Sequence, residues 1–196
     1  MTTAESDEAA DDEPRYAVVL DYYPQGRPDD NRPQYKKRPL AYAIGETDFR
    51  LVELTFAEDA DVGIDDRVVI EPASQREGIE RIRDVEYGDL SNNAVSELEY
   101  VVAEIIESDE ERFVDFYNDA QPITLRLHQL NLLPGIGKKL RNNILDERKR
   151  RPFESFDDLE ERVSGLHRPR EVLAERIIEE LRDEDLKYRT FVRRDR

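Results

Sequence analysis

The sequence Leu133-Pro134-Gly135-Ile136-Gly137-Lys138-Lys139 is the most informative stretch of this 196-residue chain. Upstream of it, Ile123, Leu127 and Leu130 follow the spacing of one face of a helix. A second apolar stripe with helical spacing begins at Leu140, directly after the stretch. Two glycines that flank one apolar residue allow backbone angles that a β-carbon would forbid. The stretch therefore predicts a tight hairpin between two helices.

This hairpin would offer hydrogen-bond donors to an anion. Backbone amides at the start of the second helix have no partner within that helix, and they carry the positive end of its dipole. Such amides bind phosphate oxygens, and Lys138, Lys139 and Arg141 would add full positive charges beside them. Because phosphate contacts carry no base information, we expect a sequence-independent grip on a nucleic-acid backbone.

The pattern resembles the helix-hairpin-helix motif, in which an apolar residue precedes Pro-Gly, a second apolar residue and Gly. The positions of that motif are filled by Leu133, Pro134, Gly135, Ile136 and Gly137. The resemblance implies that hairpin carbonyls can hold K⁺ or Na⁺, although no cofactor is required. Two other interpretations stay open: an ordinary helix-loop-helix turn with a glycine C-cap, and a hairpin that contacts protein instead.

Acidic residues dominate the composition, but they are unevenly distributed. The formal net charge is −17, and 39% of the residues are charged. Residues 122–196 contain 18 Lys and Arg against 15 Asp and Glu, whereas residues 1–121 contain 12 against 32. Excess acid, scarce lysine and no cysteine are typical of a halophilic protein, whose hydrated acidic surface keeps it soluble in a high-salt cytoplasm. The remaining basic clusters then point to function.

Composition also excludes several kinds of site. The absence of cysteine rules out disulfides, zinc–thiolate sites and thiol catalysis. No apolar run approaches the roughly 20 residues of a membrane-spanning helix, and no basic-then-apolar signal segment opens the chain. We therefore expect a cytoplasmic protein without membrane contact. Residues 1–14, rich in Asp and Glu, are expected to form a disordered tail.

The part of the chain after this tail is predicted to form five short strands. Their ranges are Tyr16–Tyr23, Leu40–Gly45, Phe49–Phe56, Arg67–Ile70 and Ile79–Tyr87. So many short strands within residues 15–88 predict a small β-barrel of five strands. An OB-like barrel is the preferred fold, and an SH3-like barrel fits the same pattern.

The loop Pro24–Pro39, between the first two predicted strands, is basic within the acidic half of the chain. It contains the following basic and aromatic residues: Arg27, Arg32, Tyr35, Lys36, Lys37 and Arg38. Cations that neutralise phosphates and a ring that stacks on bases together suit single-stranded nucleic acid. The first loop of an OB barrel often binds such a strand. The alternative is a solvated loop with core tyrosines at its base.

Residues 89–121 are predicted to form linking helices between the barrel and the hairpin. Ser96 and Glu99 have the spacing of a capping box ahead of an apolar stripe. A break near Ser108 would separate this helix from the next one. The boundary between the two domains is therefore expected within this linking segment.

A second pair of helices is predicted after the hairpin helix, which Pro152 ends. Ser155 would cap the first of them, and Pro169 would open the second. The pair resembles a second, degenerate helix-hairpin-helix unit that lacks the Gly-x-Gly pair. Residues 122–184 are thus predicted to form an all-α tandem hairpin domain, followed by a basic tail at residues 185–196.

Beyond this motif, the chain resembles an archaeal family, domain-of-unknown-function family 655 (DUF655). The resemblance is carried by Val19–Tyr22, Pro28–Asp30, Glu110–Val114 and Pro122–Phe156. It implies an OB-like domain followed by a helix-hairpin-helix domain, and a protein that binds RNA or DNA without an established activity. The family's genes often lie among translation and transcription genes, which favours RNA.

The sequence does not predict an enzyme. His128 and His167 are its two histidines, and neither belongs to a Ser-His-Asp order or a His-x-x-x-His pair. Acid pairs such as Asp157-Asp158 are too common here to indicate metal catalysis. We therefore predict a non-catalytic α+β protein that binds RNA, or DNA, through its hairpin. The alternative is a protein-interaction adaptor that docks on ribosomal or transcription proteins.

Overall fold

The computed structural model describes residues 13–193 and divides the chain into two compact units. Unit 1 comprises the chain up to Val101 together with the segment that begins at Val192. Unit 2 comprises Val102–Phe191. The predicted acidic tail at residues 1–14 lies almost entirely outside the described residues.

Unit 1 is built on one antiparallel sheet, which has five strands in the described part of the chain. They are β1 (Arg15–Tyr23), β2 (Leu40–Gly45), β3 (Leu51–Phe56), β4 (Arg67–Glu71) and β5 (Ile79–Asp84). The strand order is β4-β1-β2-β3-β5, and every neighbouring pair is antiparallel. The five predicted strands are confirmed, although β3 begins at Leu51 rather than Phe49 and β5 ends at Asp84 rather than Tyr87.

The sheet curls into a half-barrel and does not close between its edge strands. β4 and β5 run in the same direction, and only residues 72–78 connect them. β4 and β5 stand at opposite ends of the strand order and do not pair with each other. Their connection is also shorter than the crossover of about a dozen residues that a parallel pair usually needs. The predicted barrel is therefore observed as an open half-barrel.

Alternation along the strands separates two faces of this sheet. One face packs an apolar core that includes Ala17, Val19, Ala41, Ala43, Val52, Leu54 and Phe56. On the other face, Glu53 of β3 lies across from Arg83 of β5, and Thr55 lies across from Arg81. The pairing of β3 with β5 therefore brings two arginines beside residues that are about 30 positions away in the sequence.

Five α-helices occur among the described residues. They are α1 (Asn92–Ser108), α2 (Glu110–Asp119), α3 (Lys138–Arg150), α4 (Phe156–Arg162) and α5 (Pro169–Arg182). The predicted capping box at Ser96 is wrong, because Ser96 lies inside α1. Ser91 caps α1 instead, and its hydroxyl accepts the Ala94 amide at 3.1 Å. Ser155 caps α4 as predicted, accepting the Asp158 amide at 3.0 Å.

The predicted helix through Ile123–Leu130 does not form. The chain instead makes a loop that is closed by a bridge between Pro122 and His128. Only a 3-10 helix, Gln129–Leu132, precedes the hairpin. The hydroxyl of Thr124 accepts two backbone amides within the loop, at 3.2 and 3.0 Å. These side-chain bonds satisfy donors that a helix would have used, so they favour the loop.

Long polar side chains join the helices of unit 2. Arg148 of α3 donates to the carbonyls of Tyr117, at 3.1 Å, and Ala120, at 2.9 Å, where α2 ends. The buried Tyr117 hydroxyl donates to the Pro169 carbonyl at 3.0 Å. Arg148 is therefore a structural residue, although it lies in the basic run of residues 148–151.

A buried carboxylate binds the segment that follows α5. Glu180 is 0% exposed. It accepts the amides of Thr190 at 2.8 Å and Phe191 at 2.9 Å, and Arg176 Nε at 3.1 Å. Arg176 also donates to the Tyr188 carbonyl at 2.6 Å. Residues 188–191, predicted as part of a basic tail, are thus fastened to α5, while residues 194–196 lie outside the described part.

Candidate nucleic-acid interface

The predicted hairpin is present as a tight turn with an exposed edge. Leu133 and Ile136 are buried, at 2% and 5% exposure, and anchor the turn. Pro134 is half-buried, whereas Gly135 and Gly137 are exposed. Gly135 has φ +77°, a left-handed conformation that favours glycine. The Ile136 amide closes the turn by donating to the Leu133 carbonyl at 3.2 Å.

Gly137 is the N-cap of α3, and the helix start beyond it is open. The first bond into the cap runs from the Arg141 amide to the Gly137 carbonyl, at 3.0 Å. Within residues 13–193, the amides of Lys138, Lys139 and Leu140 have no acceptor. A β-carbon on Gly137 would meet no heavy atom within 4 Å. Within residues 13–193, no protein group therefore covers these amides or blocks the space beside Gly137.

Three cations lie at this helix start without a carboxylate partner among the residues that the structure describes. Lys138 and Lys139 are exposed. Arg141 is half-buried, and its guanidinium donates to the side-chain oxygen of Asn131 at 3.0 Å. Since Asn131 is neutral, it positions the guanidinium and leaves its charge available to a ligand. The predicted basic residues are thus brought together around the open amides.

Asn131 and His128 brace the hairpin, and the sequence did not reveal this role. Asn131 donates to the Ile136 carbonyl at 3.2 Å and accepts the His128 amide at 3.3 Å. His128 is 5% exposed, and its Nδ1 accepts the Leu130 amide at 3.1 Å. The available signal was a lone asparagine inside the apolar run Leu130–Leu133.

We expect His128 to make the stability of unit 2 depend on pH. Burial, and then the charges of Arg148 and Arg141, lower the pKa of His128 below its usual 6.5. The unfolded chain therefore takes up a proton first as the pH falls. The stabilising contribution is complete above about pH 6.5 and is lost progressively below it.

The measurement compares thermal unfolding of the wild type and His128→Asn between pH 8 and pH 5. Asparagine keeps a capping acceptor and has no titration in this range. The midpoint should therefore fall less for the variant than for the wild type. Parallel pH profiles would contradict the role given to His128.

A second hairpin in unit 2 repeats the backbone turn of the first. Gly165 has φ +93°, and the Leu166 amide donates to the Val163 carbonyl at 3.2 Å. Its helix start is different, because α5 begins with Pro169, which has no N–H. Glu171 also places a negative charge in the first turn of α5. The start of α5 therefore offers fewer amide donors than the start of α3, and it carries a negative charge that the start of α3 lacks.

The loop Pro24–Pro39 holds three of its arginines in ion pairs. The pairs are Arg27 with Glu53, Arg32 with Asp30, and Arg38 with Glu58. Bonding to the Arg32 guanidinium at 2.7 Å lowers the pKa of Asp30 to about 2. The pairs of Arg32 and Arg38 lie at the surface and add little stability, whereas Glu53, the partner of Arg27, is buried. All three pairs hold guanidinium groups in place.

The remaining predicted residues of the loop form no ion pairs within residues 13–193. Lys36 and Tyr35 are exposed, and the Lys36 ammonium lies 5.7 Å from the Tyr35 ring centroid. Lys37 is half-buried. At the base of the loop, the Tyr22 ring packs edge-on against Phe56 at 6.3 Å. That ring belongs to the core, as the alternative interpretation of the loop expected.

Four of these loop residues line a cleft of about 530 Å³ on the sheet of unit 1: Arg27, Arg32, Lys36 and Arg38. Tyr35 and Lys37 do not line it. Arg81 and Arg83 of β5 complete the basic lining. No functional role was predicted for these two arginines, because only the strand register brings them to the loop.

Within residues 13–193, no helix combines the length and apolar character needed to cross a membrane. The same residues contain no group of three or more His, Asp or Glu side chains arranged to hold a metal ion. A monovalent cation at the hairpin would use backbone carbonyls instead of such side chains. K⁺ or Na⁺ at the hairpin therefore stays a prediction.

Comparison with known proteins gives consistent matches over nearly the whole chain. A family model described as "Protein of unknown function (DUF655)" matches residues 13–193. An uncharacterized protein from Methanocaldococcus jannaschii is 42% identical over 180 residues, which cover 91% of this chain and 79% of that protein. A crystal structure from Archaeoglobus fulgidus, titled with the same family, has 44% identity and a TM-score of 0.83. That match covers 91% of this chain and 99% of the other.

Proposed function

The chain belongs to the DUF655 family of proteins of unknown function, and we propose that it binds nucleic acid through the hairpin Leu133–Lys139. It would grip the phosphate backbone without catalysing a reaction. RNA is the favoured partner and DNA the alternative. On this proposal, unit 2 is a tandem helix-hairpin-helix domain, in which the 3-10 helix Gln129–Leu132 takes the place of the helix before the first hairpin. The half-barrel of unit 1 is then an OB-like domain.

The open start of α3 is the observation that carries this proposal. The amides of Lys138, Lys139 and Leu140 have no acceptor in the described part of the chain. A phosphate oxygen at this point would accept these N–H groups and meet the positive end of a 13-residue helix. The side chains of Lys138, Lys139 and Arg141 would attract the anion to the amides.

Amide donors matter because the chain as a whole repels nucleic acid. The net charge is −17, and attraction through counterion release weakens steeply as salt rises. In the high-salt cytoplasm that the composition predicts, hydrogen bonds from fixed amides would supply much of the affinity. K⁺ or Na⁺ held by hairpin carbonyls would add positive charge, and we propose no other cofactor.

Changing both hairpin lysines to glutamine is expected to reduce the salt dependence of binding. If each lysine neutralises one phosphate, the slope of log affinity against log salt should fall by between one and two. Fluorescence anisotropy with labelled RNA and DNA duplexes at several KCl concentrations measures this slope for Lys138→Gln/Lys139→Gln. The control is Lys149→Gln/Lys187→Gln, which removes two exposed lysines elsewhere. An equal change of slope in the control variant would contradict a contact between the hairpin lysines and phosphate.

An exposed leucine favours a second candidate function, a protein-interaction adaptor. Leu125 is 107% exposed at the tip of the loop that Thr124 braces. A rigidly held apolar side chain suits a pocket on a partner, such as a ribosomal or transcription protein. A pull-down from native extract that survives nuclease treatment would favour this function over nucleic-acid binding.

A further inference from the structure

The cleft of unit 1 is strongly basic for a chain of this composition. Six Lys and Arg residues line it against three Asp and Glu residues, in a protein of net charge −17. The hairpin of unit 2 does not account for this cleft. These basic residues are gathered around one concave site with a volume of about 530 Å³, whereas charges that only solvate a surface would be spread over it.

We propose that this cleft binds a single-stranded segment of nucleic acid, with phosphate at Arg81 and Lys36 and a base against Arg32 and Leu40. This inference rests on the proposed nucleic-acid-binding function and deepens it. It assigns the form of the nucleic acid that unit 1 recognises, and it gives roles to side chains of β2 and β5. The cleft would bind single-stranded nucleic acid, whereas the hairpin would bind the phosphate backbone of both single-stranded and duplex nucleic acid.

Free positive charge supports the phosphate position. Arg81 is exposed, lies across from Thr55 in the sheet, and forms no ion pair within residues 13–193. Lys36 likewise has no carboxylate partner in that range. A phosphate between them would accept charge-assisted hydrogen bonds from a guanidinium and an ammonium group. The Thr55 hydroxyl, also in the lining, could donate a further bond.

The floor of the cleft adds positive charge that is already fixed in place. Arg27 and Arg83 both pair with Glu53, whose side chain is 11% exposed, and the Arg83 contact is 2.9 Å long. One carboxylate cannot neutralise two guanidinium groups. One positive charge of this group is therefore not neutralised. Because the buried Glu53 already holds both guanidinium groups in place, an anion could bind them with little rearrangement of these side chains.

A flat guanidinium supports the base position. Arg32 is held by Asp30 through side-chain bonds of 2.7 to 3.0 Å, yet its side chain is 65% exposed. The Asp30 carboxylate neutralises the Arg32 guanidinium and fixes the orientation of its plane, and a planar group held in this way is suited to stacking on a base. Leu40 adds apolar surface to the lining. Tyr35, at 75% exposure, offers a neighbouring base a second stacking surface.

These features favour a single strand over a duplex. Bases in a duplex are stacked inside the helix, so a fixed guanidinium plane in a cleft cannot reach their faces. A single strand can turn its bases outward onto aromatic and guanidinium surfaces. A free nucleotide offers the same phosphate and base, and the cleft volume falls within the range of small-molecule sites. The test therefore includes both sources.

The test measures binding of the full-length protein to a labelled 8-nucleotide RNA and to a labelled 20-base-pair RNA duplex at fixed KCl. We expect Arg81→Glu to lower affinity for the single strand at least tenfold and to change affinity for the duplex less than twofold. Arg81→Gln should give a smaller loss of the same kind. Arg15→Glu changes an exposed arginine of β1 outside the cleft and serves as the matched control.

Each outcome decides between specific alternatives. Equal losses for Arg81→Glu and Arg15→Glu, or equal losses for the two RNAs, would overturn the proposal. Competition by uridine monophosphate at the same nucleotide concentration as unlabelled 8-mer would assign the cleft to free nucleotides and overturn the strand assignment. Gly137→Glu separates the two sites. If it leaves all binding intact while Arg81→Glu removes single-strand binding, the cleft stands and the hairpin grip fails.

Discussion

Gly137→Glu is expected to lower the affinity for RNA and DNA duplexes by about 100-fold while the protein stays folded. The new carboxylate would stand at the open start of α3, where it would repel phosphate and compete for the amides of Lys138–Leu140. Losing two charge-assisted hydrogen bonds at about 1.5 kcal/mol each amounts to roughly 3 kcal/mol, or about two orders of magnitude. The fold should tolerate the change, since a β-carbon at Gly137 meets no atom within 4 Å.

Two variants control this experiment. His167→Glu introduces the same charge into the exposed second hairpin, where we expect less than a threefold effect on binding. Gly137→Ala adds a methyl group without charge and should bind with intermediate affinity. Anisotropy at fixed KCl gives the affinities, and thermal unfolding confirms that each variant folds. Wild-type affinity in a folded Gly137→Glu protein would end the hairpin proposal and leave the adaptor function.

Glu180→Ala is expected to lower the free energy of unfolding by about 3–5 kcal/mol. Removing one partner of a buried ion pair leaves the other charge uncompensated, which costs roughly this amount. Here the substitution would leave Arg176, which is 5% exposed, with only the half-exposed Glu179 as an ionic partner among the described residues, and it would also free the amides of Thr190 and Phe191. The segment that these amides belong to would then detach from α5.

The neighbouring residue gives a matched control for this prediction. Glu179 also pairs with Arg176, at 2.9 Å, but its side chain is 50% exposed. Glu179→Ala removes the same charge and should cost less than about 1 kcal/mol. Urea denaturation at pH 7, with a fixed KCl concentration, measures both variants against the wild type. Equal losses for the two variants would show that the buried carboxylate has no special role.

The elements that the sequence predicted well are those defined by local chemistry. Strand alternation and turn residues located all five strands of the half-barrel. The glycine pattern located the hairpin, since Gly135 needs a positive φ and Leu133 and Ile136 need burial. Membership of the DUF655 family, first indicated by short segments, is confirmed by a match over residues 13–193.

The features that the sequence did not predict have two causes. Side-chain hydrogen bonds compete with a helix in one segment, and strands far apart in the sequence pair in another. The apolar spacing before the hairpin suits a helix, but the hydroxyl of Thr124 bonds the backbone of a loop instead. The position of Arg81 across from Thr55 follows from the register of β3 and β5, which no local pattern encodes. The bracing by Asn131 and His128 likewise appears only once the hairpin is folded.

The contrast between the two helix starts shows how one residue can change the number of amide donors at a hairpin. The two turns share a glycine with positive φ and the same closing bond, but the N-cap Arg168 is left-handed whereas Gly137 is extended. Pro169 also lacks the N–H that Lys138 supplies at the first position of its helix. Proline is well tolerated there, so a single codon can silence a main-chain contact and leave the architecture intact. A search of sequences for charged side chains alone would not detect whether a helix start has or lacks these backbone donors.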